Sequence, residues 1–246
     1  MSDTEPTILA TSGGLIRGAR TEVAFGPMLN YALELSGAAR PSLLYVGTAM
    51  GDESASGLQM IEAGRVEGIT VDLLKLFPMP NVDDLVGWVL AHDVVWVGGG
   101  SVANLLALWR LHGLDHAFER AWHHGVVLAG VSAGSLCWHY GGTTDSFTPQ
   151  LSPITNGLGL LPYSNGVHYD SEPRRRPLFR QLIAEGRLPD GYATEDGTGL
   201  VFKGTRLLEA VSEVSGKQAY QVARHDDTTI EEPLPTRLLS VTHARR

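Results

Sequence analysis

Three short apolar runs constrain this chain more than any other feature. Ser42–Val46 (Ser-Leu-Leu-Tyr-Val), Val94–Val97 (Val-Val-Trp-Val) and Val126–Ala129 show no polar alternation, and a glycine follows each. A strand that is apolar at consecutive positions has to be covered on both faces. Such strands alternating with helices form a parallel sheet with helices on either side. Pro6–Thr11, closed by Ser12-Gly13-Gly14, and Ile69–Leu76 read as further strands. Helical spacing predicts helices over Val23–Leu35, Ser54–Glu67, Val82–Leu90, Val102–His112 and Asp115–His124, with Ser101 and Asp115 as caps. Ligands of such sheets bind beyond the carboxyl ends of the strands. The turns after Val46, Val97 and Ala129 are therefore the expected functional edge.

The pattern changes after residue 140. Gly141–Pro162 reads as a long loop rich in Gly, Thr, Pro and Ser, Tyr163–Val167 as a strand, and Pro173–Glu185 as a basic amphipathic helix. Gly199–Lys203, Leu207–Val211 and Gln218–Ala223 read as β-hairpins added to the sheet edge, followed by a weakly structured polar tail. No repeat or flexible linker divides the chain, so one domain over residues 1–246 is expected. The expected class is α/β, doubly wound and mostly parallel, with C-terminal hairpin additions.

Charge and cysteine content narrow the partners. A net charge of -8 and a pI near 5.5 argue against a nucleic-acid binder, although a local basic cluster can still hold an acidic ligand. Cys137 is the one cysteine, which excludes an internal disulfide and suits a reducing cytoplasm. The N-terminal Met1-Ser2-Asp3-Thr4-Glu5 lacks the basic and apolar regions of a signal peptide, and no run approaches the ~20 apolar residues of a membrane span. The expectation is a cytoplasmic protein with no membrane contact, no metal and no cofactor. The sequence leaves a homodimer open.

The chemistry is expected at Gly130-Val131-Ser132-Ala133-Gly134, where an apolar strand runs into Gly-x-Ser-x-Gly and a short helix. Glycines at both ends let strand and helix approach closely, so the serine sits on a sharp elbow at the sheet edge. Without a further signal, the same five residues describe a turn with an N-capping serine. Gly98-Gly99-Gly100 has no following Lys-Ser/Thr, so a nucleotide-binding loop is not expected. Its better use is an oxyanion hole formed by Gly99 or Gly100 with the Ala133 amide.

A serine nucleophile needs a base with an orienting acid. Of nine histidines, His92, His112, His116, His123 and His124 read as solvent-facing helix residues. His139 falls seven residues past Ser132 on the same short helix, too far to reach back. His225 and His243 fall in the polar tail. His168 follows a strand and precedes a helix started by proline, so it is the candidate base. Glu195-Asp196, in the turn before Gly199, supplies the acid, and Asp145 is a weaker candidate.

These blocks resemble the peptidase E (aspartyl dipeptidase) and cyanophycinase family. The resemblance is carried by Val95-Trp96-Val97-Gly98-Gly99-Gly100-Ser101 with Asn104-Leu105-Leu106, and by Gly130-Val131-Ser132-Ala133-Gly134-Ser135. Gly47-Thr48-Ala49, Thr143-Thr144-Asp145 and the His168 block also fit. The resemblance implies a flavodoxin-like, class I glutamine-amidotransferase-like fold. It also implies a Ser–His–acid hydrolase of short peptides, some with an N-terminal aspartate, working through an acyl-enzyme. Ser132 would be the nucleophile, His168 the base, and Asp196 or its neighbour Glu195 the acid. Arg174, Arg175 and Arg176, with Asp145, would be candidates for the substrate site.

Three other readings stand beside it. An α/β-hydrolase esterase orders its triad Ser, Asp, His, and would need Asp196 with His225 or His243. A glutamine amidotransferase needs a cysteine in the elbow, whereas Cys137 lies outside it. A binding module on the same fold would have no use for a complete Ser, His and acid set.

Overall fold

The computed structural model describes residues 5–240. In chain order the first half holds β1 (Thr7–Thr11), β2 (Leu15–Arg17), β3 (Val23–Phe25), α1 (Pro27–Leu35), β4 (Ser42–Val46), α2 (Ser54–Glu67), β5 (Thr70–Leu74), α3 (Leu85–Leu90), β6 (Val94–Val97), α4 (Val102–His112) and α5 (Leu114–His123). Then come β7 (Val127–Val131), α6 (Ala133–Leu136), β8 (His139–Thr144), β9 (Ser152–Ile154), β10 (Leu161–Gly166), α7 (Arg175–Ala184) and β11 (Gly191–Thr194). The chain continues as β12 (Thr198–Lys203), β13 (Arg206–Ser212), β14 (Ala219–His225), β15 (Thr228–Leu234) and β16 (Thr236–Leu238).

The main sheet has the order β16-β13-β12-β1-β7-β6-β4-β5. Its strands β1, β7, β6, β4 and β5 are mutually parallel; β12 pairs antiparallel with β1, and β13 pairs antiparallel with β12 and so runs in the direction of β1. Alternate residues of each parallel strand bury on opposite faces. Ile8, Leu44, Val46, Val95, Val97 and Leu128 join one core with Trp109 of α4 and Phe118 of α5. Leu9, Leu43, Tyr45, Val94, Trp96 and Val127 join another with Met28 and Leu29 of α1 and Met60 of α2. Burial on both faces is what the unbroken apolar runs require.

A second sheet, β15-β14-β11-β10-β8-β9, stands beside the first. Phe179, Leu182 and Ile183 of α7 pack on it against Ala193 and Val222. This corrects three expectations. Residues 141–162 are not one loop, because Gly142–Thr144 pair with Ser152–Ile154 and β10 begins at Leu161. Gly141-Gly142 in the middle of β8 weakens the strand preference of Tyr140, Thr143 and Thr144, and the neighbouring strands supply its order. Gln218–Ala223 extends this second sheet, not the first, and His225 ends β14 instead of lying in a loose tail. His243 lies outside the described residues. The expected helix over Val23–Leu35 begins only at Pro27. Val23–Phe25 pairs with β2, and proline suits a first helical position because no N–H is needed there. Among the described residues no helix is long and apolar enough to cross a membrane.

Candidate active site

Ser132 follows β7 directly and has φ 58° and ψ −113°, a strained backbone for a residue with a side chain. Close packing holds it there. A Cβ on Gly130 would lie 2.5 Å from Gly134 O and 2.7 Å from Val97 O, so β7, β6 and α6 meet with no room for a methyl group. From below, Ser132 N donates to Thr11 O at 3.0 Å. Ser132 is half-buried, and among the described residues its Oγ has no hydrogen-bond partner.

The turn after β6 faces this elbow. A Cβ on Gly99 would lie 3.3 Å from Ser132 Cβ and 3.9 Å from Ser132 Oγ. Gly98 N donates to Val46 O at 3.0 Å and Ser101 N to Ala49 O at 2.9 Å. The two amides between them, on Gly99 and Gly100, have no protein acceptor among the described residues. Ala133 opens α6, where an amide has no partner within its own helix. Three uncommitted N–H groups thus lie on the serine elbow and on the turn that faces it.

His168 lies in the turn after β10, at φ 52°, and is partly exposed. Its Nδ1 is 2.6 Å from Asp196 Oδ1. The parallel pairing of β10 with β11 brings the ends of the two strands together, and Tyr169 N donates to Thr194 O at 3.1 Å across the gap. Glu195 points elsewhere. Its Oε1 accepts from Tyr220 Oη at 2.9 Å and its Oε2 from Gln218 N at 3.0 Å. Asp145 is exposed past the end of β8. Among the described residues no hydrogen bond joins Ser132 to His168. In unliganded sites that contact often tightens only with substrate present.

The three arginines divide. Arg175 is buried, donating through Nε to Glu172 Oε2 at 2.6 Å and through Nη1 to Thr143 O at 2.7 Å. Arg176 pairs with Glu231 and lies over the rings of Tyr169 and Tyr220. Arg174 is exposed and gives one bond, Nη2 to Pro149 O at 3.1 Å. Its guanidinium is the one of the three not already matched to a carboxylate.

Other titratable groups read from the sequence have structural places. Cys137 is buried, and desolvation pushes its thiol well above the usual range. His139 is not on α6 but in β8, fully buried, with Nδ1 2.9 Å from Ser135 O. Burial lowers its pKa to about 4, against a smaller opposing effect of Ser135 O. His92 is not solvent-facing. It is buried, with Nδ1 2.7 Å from Trp88 O and Nε2 3.1 Å from Asp72 Oδ2. Among the described residues no group of three His, Cys, Asp or Glu side chains could hold a metal ion.

Sequence reasoning missed the supports of the acid turn. Asp196 N donates to Asp170 Oδ1 at 2.9 Å, and Asp170 Oδ2 is paired with Lys217. Burial pushes the Asp170 carboxyl up, but the Lys217 bond and the backbone donors outweigh it and hold the pKa low. In the sequence Ser12 reads only as the end of a strand. Its buried hydroxyl contacts Thr194 and the His168 amide. The one local signal for Asp170 was its position two residues after His168.

Residues 8–210 match the model of peptidase family S51. The uncharacterized peptidase YgaJ of Bacillus subtilis (strain 168) is 41% identical over 209 residues, which are 85% of this chain and 90% of that one. A crystal structure of a peptidase from an acI-B1 Actinobacterium superposes with a TM-score of 0.63 at 17% identity, covering 93% of this chain and 95% of that one. A Listeria monocytogenes EGD-e protein assigned to peptidase E gives a TM-score of 0.59 at 15% identity, covering 83% of this chain and 98% of the other.

Proposed function

Because the chain belongs to peptidase family S51 and is a serine-type peptidase, we propose that it hydrolyses short peptides through an acyl-enzyme on Ser132. The observation that carries this reading is the set of four strand-end turns, after β6, β7, β10 and β11. They present a strained serine, uncommitted amides and a His168–Asp196 pair at 2.6 Å. In the proposed cycle, Ser132 Oγ attacks the scissile carbonyl carbon and its proton passes to His168 Nε2. The carbonyl oxygen takes the negative charge and is met by the amides of Gly99, Gly100 and Ala133. His168 then protonates the leaving amine. Water attacks the acyl-enzyme with its proton going to His168, and the serine and the acid product are released. Asp196 keeps the imidazole proton on Nδ1, so that Nε2 is free to accept.

The substrate side of the proposal rests on Arg174. A guanidinium with free donors, six residues past the histidine in sequence, can take a carboxylate by two parallel bonds, which favours peptides with an acidic residue. Arg175 and Arg176 are committed within the protein and are not assigned this role. The test is purified protein against dipeptides, β-aspartyl dipeptides and aryl esters, scored by kcat/KM. Cleavage of esters alone, or of nothing that Ser132→Ala also loses, would refute the reading.

A further inference from the structure

Thr11 and Ser12, which close β1, touch all three parts of the candidate site. Ser132 N donates to Thr11 O. Gly197 N donates to Ser12 O at 2.9 Å, and Ser12 N donates to Thr198 O at 2.8 Å. These are backbone bonds that survive any side chain at position 12. A fourth bond depends on the hydroxyl: His168 N donates to Ser12 Oγ at 3.2 Å.

That hydroxyl is itself held. Ser12 Oγ lies 2.7 Å from Thr194 Oγ1 and 3.3 Å from Thr194 O, and both residues are buried. One placement of protons satisfies every group. Thr194 Oγ1 donates to Ser12 Oγ, Ser12 Oγ donates to Thr194 O, and the second lone pair of Ser12 Oγ receives His168 N–H. Thr194 O also receives Tyr169 N–H. Two consecutive amides, of His168 and Tyr169, therefore end on the Ser12–Thr194 pair, the first on the Ser12 hydroxyl and the second on the Thr194 carbonyl. His168 is left-handed, a conformation that a residue with a side chain keeps only where its surroundings over-determine it.

We propose that Ser12, backed by Thr194, is a positioning residue that sets the direction of the His168 ring toward Asp196 and Ser132. The proposal rests on the reading of His168 as the base. Removing the hydroxyl leaves the His168 N–H beside a buried site with no acceptor. The backbone at His168 then relaxes, and the ring loses its alignment with Asp196. The elbow and the acid turn keep their backbone anchors, so binding of the peptide is spared while proton transfer suffers.

The experiment combines kinetics with nitrogen-15 NMR of histidine-labelled protein, which reports the imidazole tautomer. In the parent protein His168 is expected as the Nδ1–H form, fixed by Asp196. In Ser12→Ala the other tautomer appears and kcat drops on the order of 10²-fold, the loss a misplacement of about 1 Å produces, with KM unchanged. Ser12→Thr, which keeps the hydroxyl, recovers most of the rate and the original tautomer. Thr194→Val shifts both readouts in the same direction, and it carries the test if Ser12→Ala does not fold. The proposal is overturned if these variants keep the parental tautomer and kcat, or if Ser12→Thr is as impaired as Ser12→Ala. A parent protein that cleaves no peptide refutes the proposed function instead, and the tautomer comparison still decides the role of Ser12.

Discussion

Gly130→Ala is a direct test of the elbow. Position 130 does not have a positive φ, so alanine costs nothing in backbone preference and the whole effect is steric. The new methyl would lie 2.5 Å from Gly134 O and 2.7 Å from Val97 O. Both are backbone atoms in packed elements and cannot swing aside as a side chain would. Moving the 2.5 Å contact out to an ordinary 3.4 Å displaces α6 from β7 by about 0.9 Å. Overpacking of this kind costs about 1–3 kcal/mol, which in a chain of this size lowers Tm by roughly 2–12 °C. Because α6 follows Ser132 directly, the same displacement should reduce acylation by about 10²-fold. Thermal unfolding gives the first quantity, and the labelling rate of Ser132 by a fluorophosphonate gives the second. Gly99→Ala is the control. Its methyl meets Ser132 Cβ at 3.3 Å, a contact that small shifts relieve, so Tm should hold while the crowded nucleophile labels slowly. A Gly130→Ala protein with parental Tm and parental labelling rate would refute the argument that close packing builds the elbow.

Four further outcomes are expected. Ser132→Ala should lower kcat by a factor on the order of 10⁴ or more while the far-ultraviolet spectrum and Tm stay parental; retained turnover removes Ser132 from the nucleophile's place. Asp196→Asn should cost about 10⁴ in kcat, since an amide favours the wrong imidazole tautomer, whereas Glu195→Gln should cost far less because Glu195 holds Tyr220 and Gln218; the reverse ranking assigns the acid to Glu195. His139 is held neutral by burial at a pKa of about 4, below its ordinary 6.5, so its contribution to stability is complete above pH 6.5 and is lost as pH falls toward 4, by roughly 3 kcal/mol in all. Urea unfolding across that range should show a steeper acid-side loss in the parent than in His139→Gln, and parallel curves would contradict it. Arg174→Lys should reduce the kcat/KM ratio of Asp-Leu to Asn-Leu, and an unchanged ratio would leave the acidic-substrate reading without support.

The parallel core of the sheet is legible in the amino-acid order alone. Runs such as Val94–Val97 and Leu43–Val46 are apolar on consecutive residues, and only a strand covered on both faces buries them all. The same order also places the glycine turns and the serine at the strand ends, since contacts between neighbours in sequence dictate a tight elbow. Elements whose order comes from distant partners were not legible. His139–Thr144 is glycine-rich and polar enough to read as helix end and loop, and becomes a strand because Ile154 and Asn165 pair with it. His92 reads as a surface residue until Asp72, twenty positions earlier, meets its ring. Glu195 and Asp196 are chemically near equivalent in sequence. Successive side chains leave a turn in different directions, and which one meets His168 was decided by Tyr220 and Gln218 at the neighbouring strand and by Asp170 beneath the Asp196 amide. Ser12 was hidden for the same reason. Its place in the site comes from Thr194 and His168, more than 150 residues away, and only tertiary packing brings hydroxyl and amide within reach.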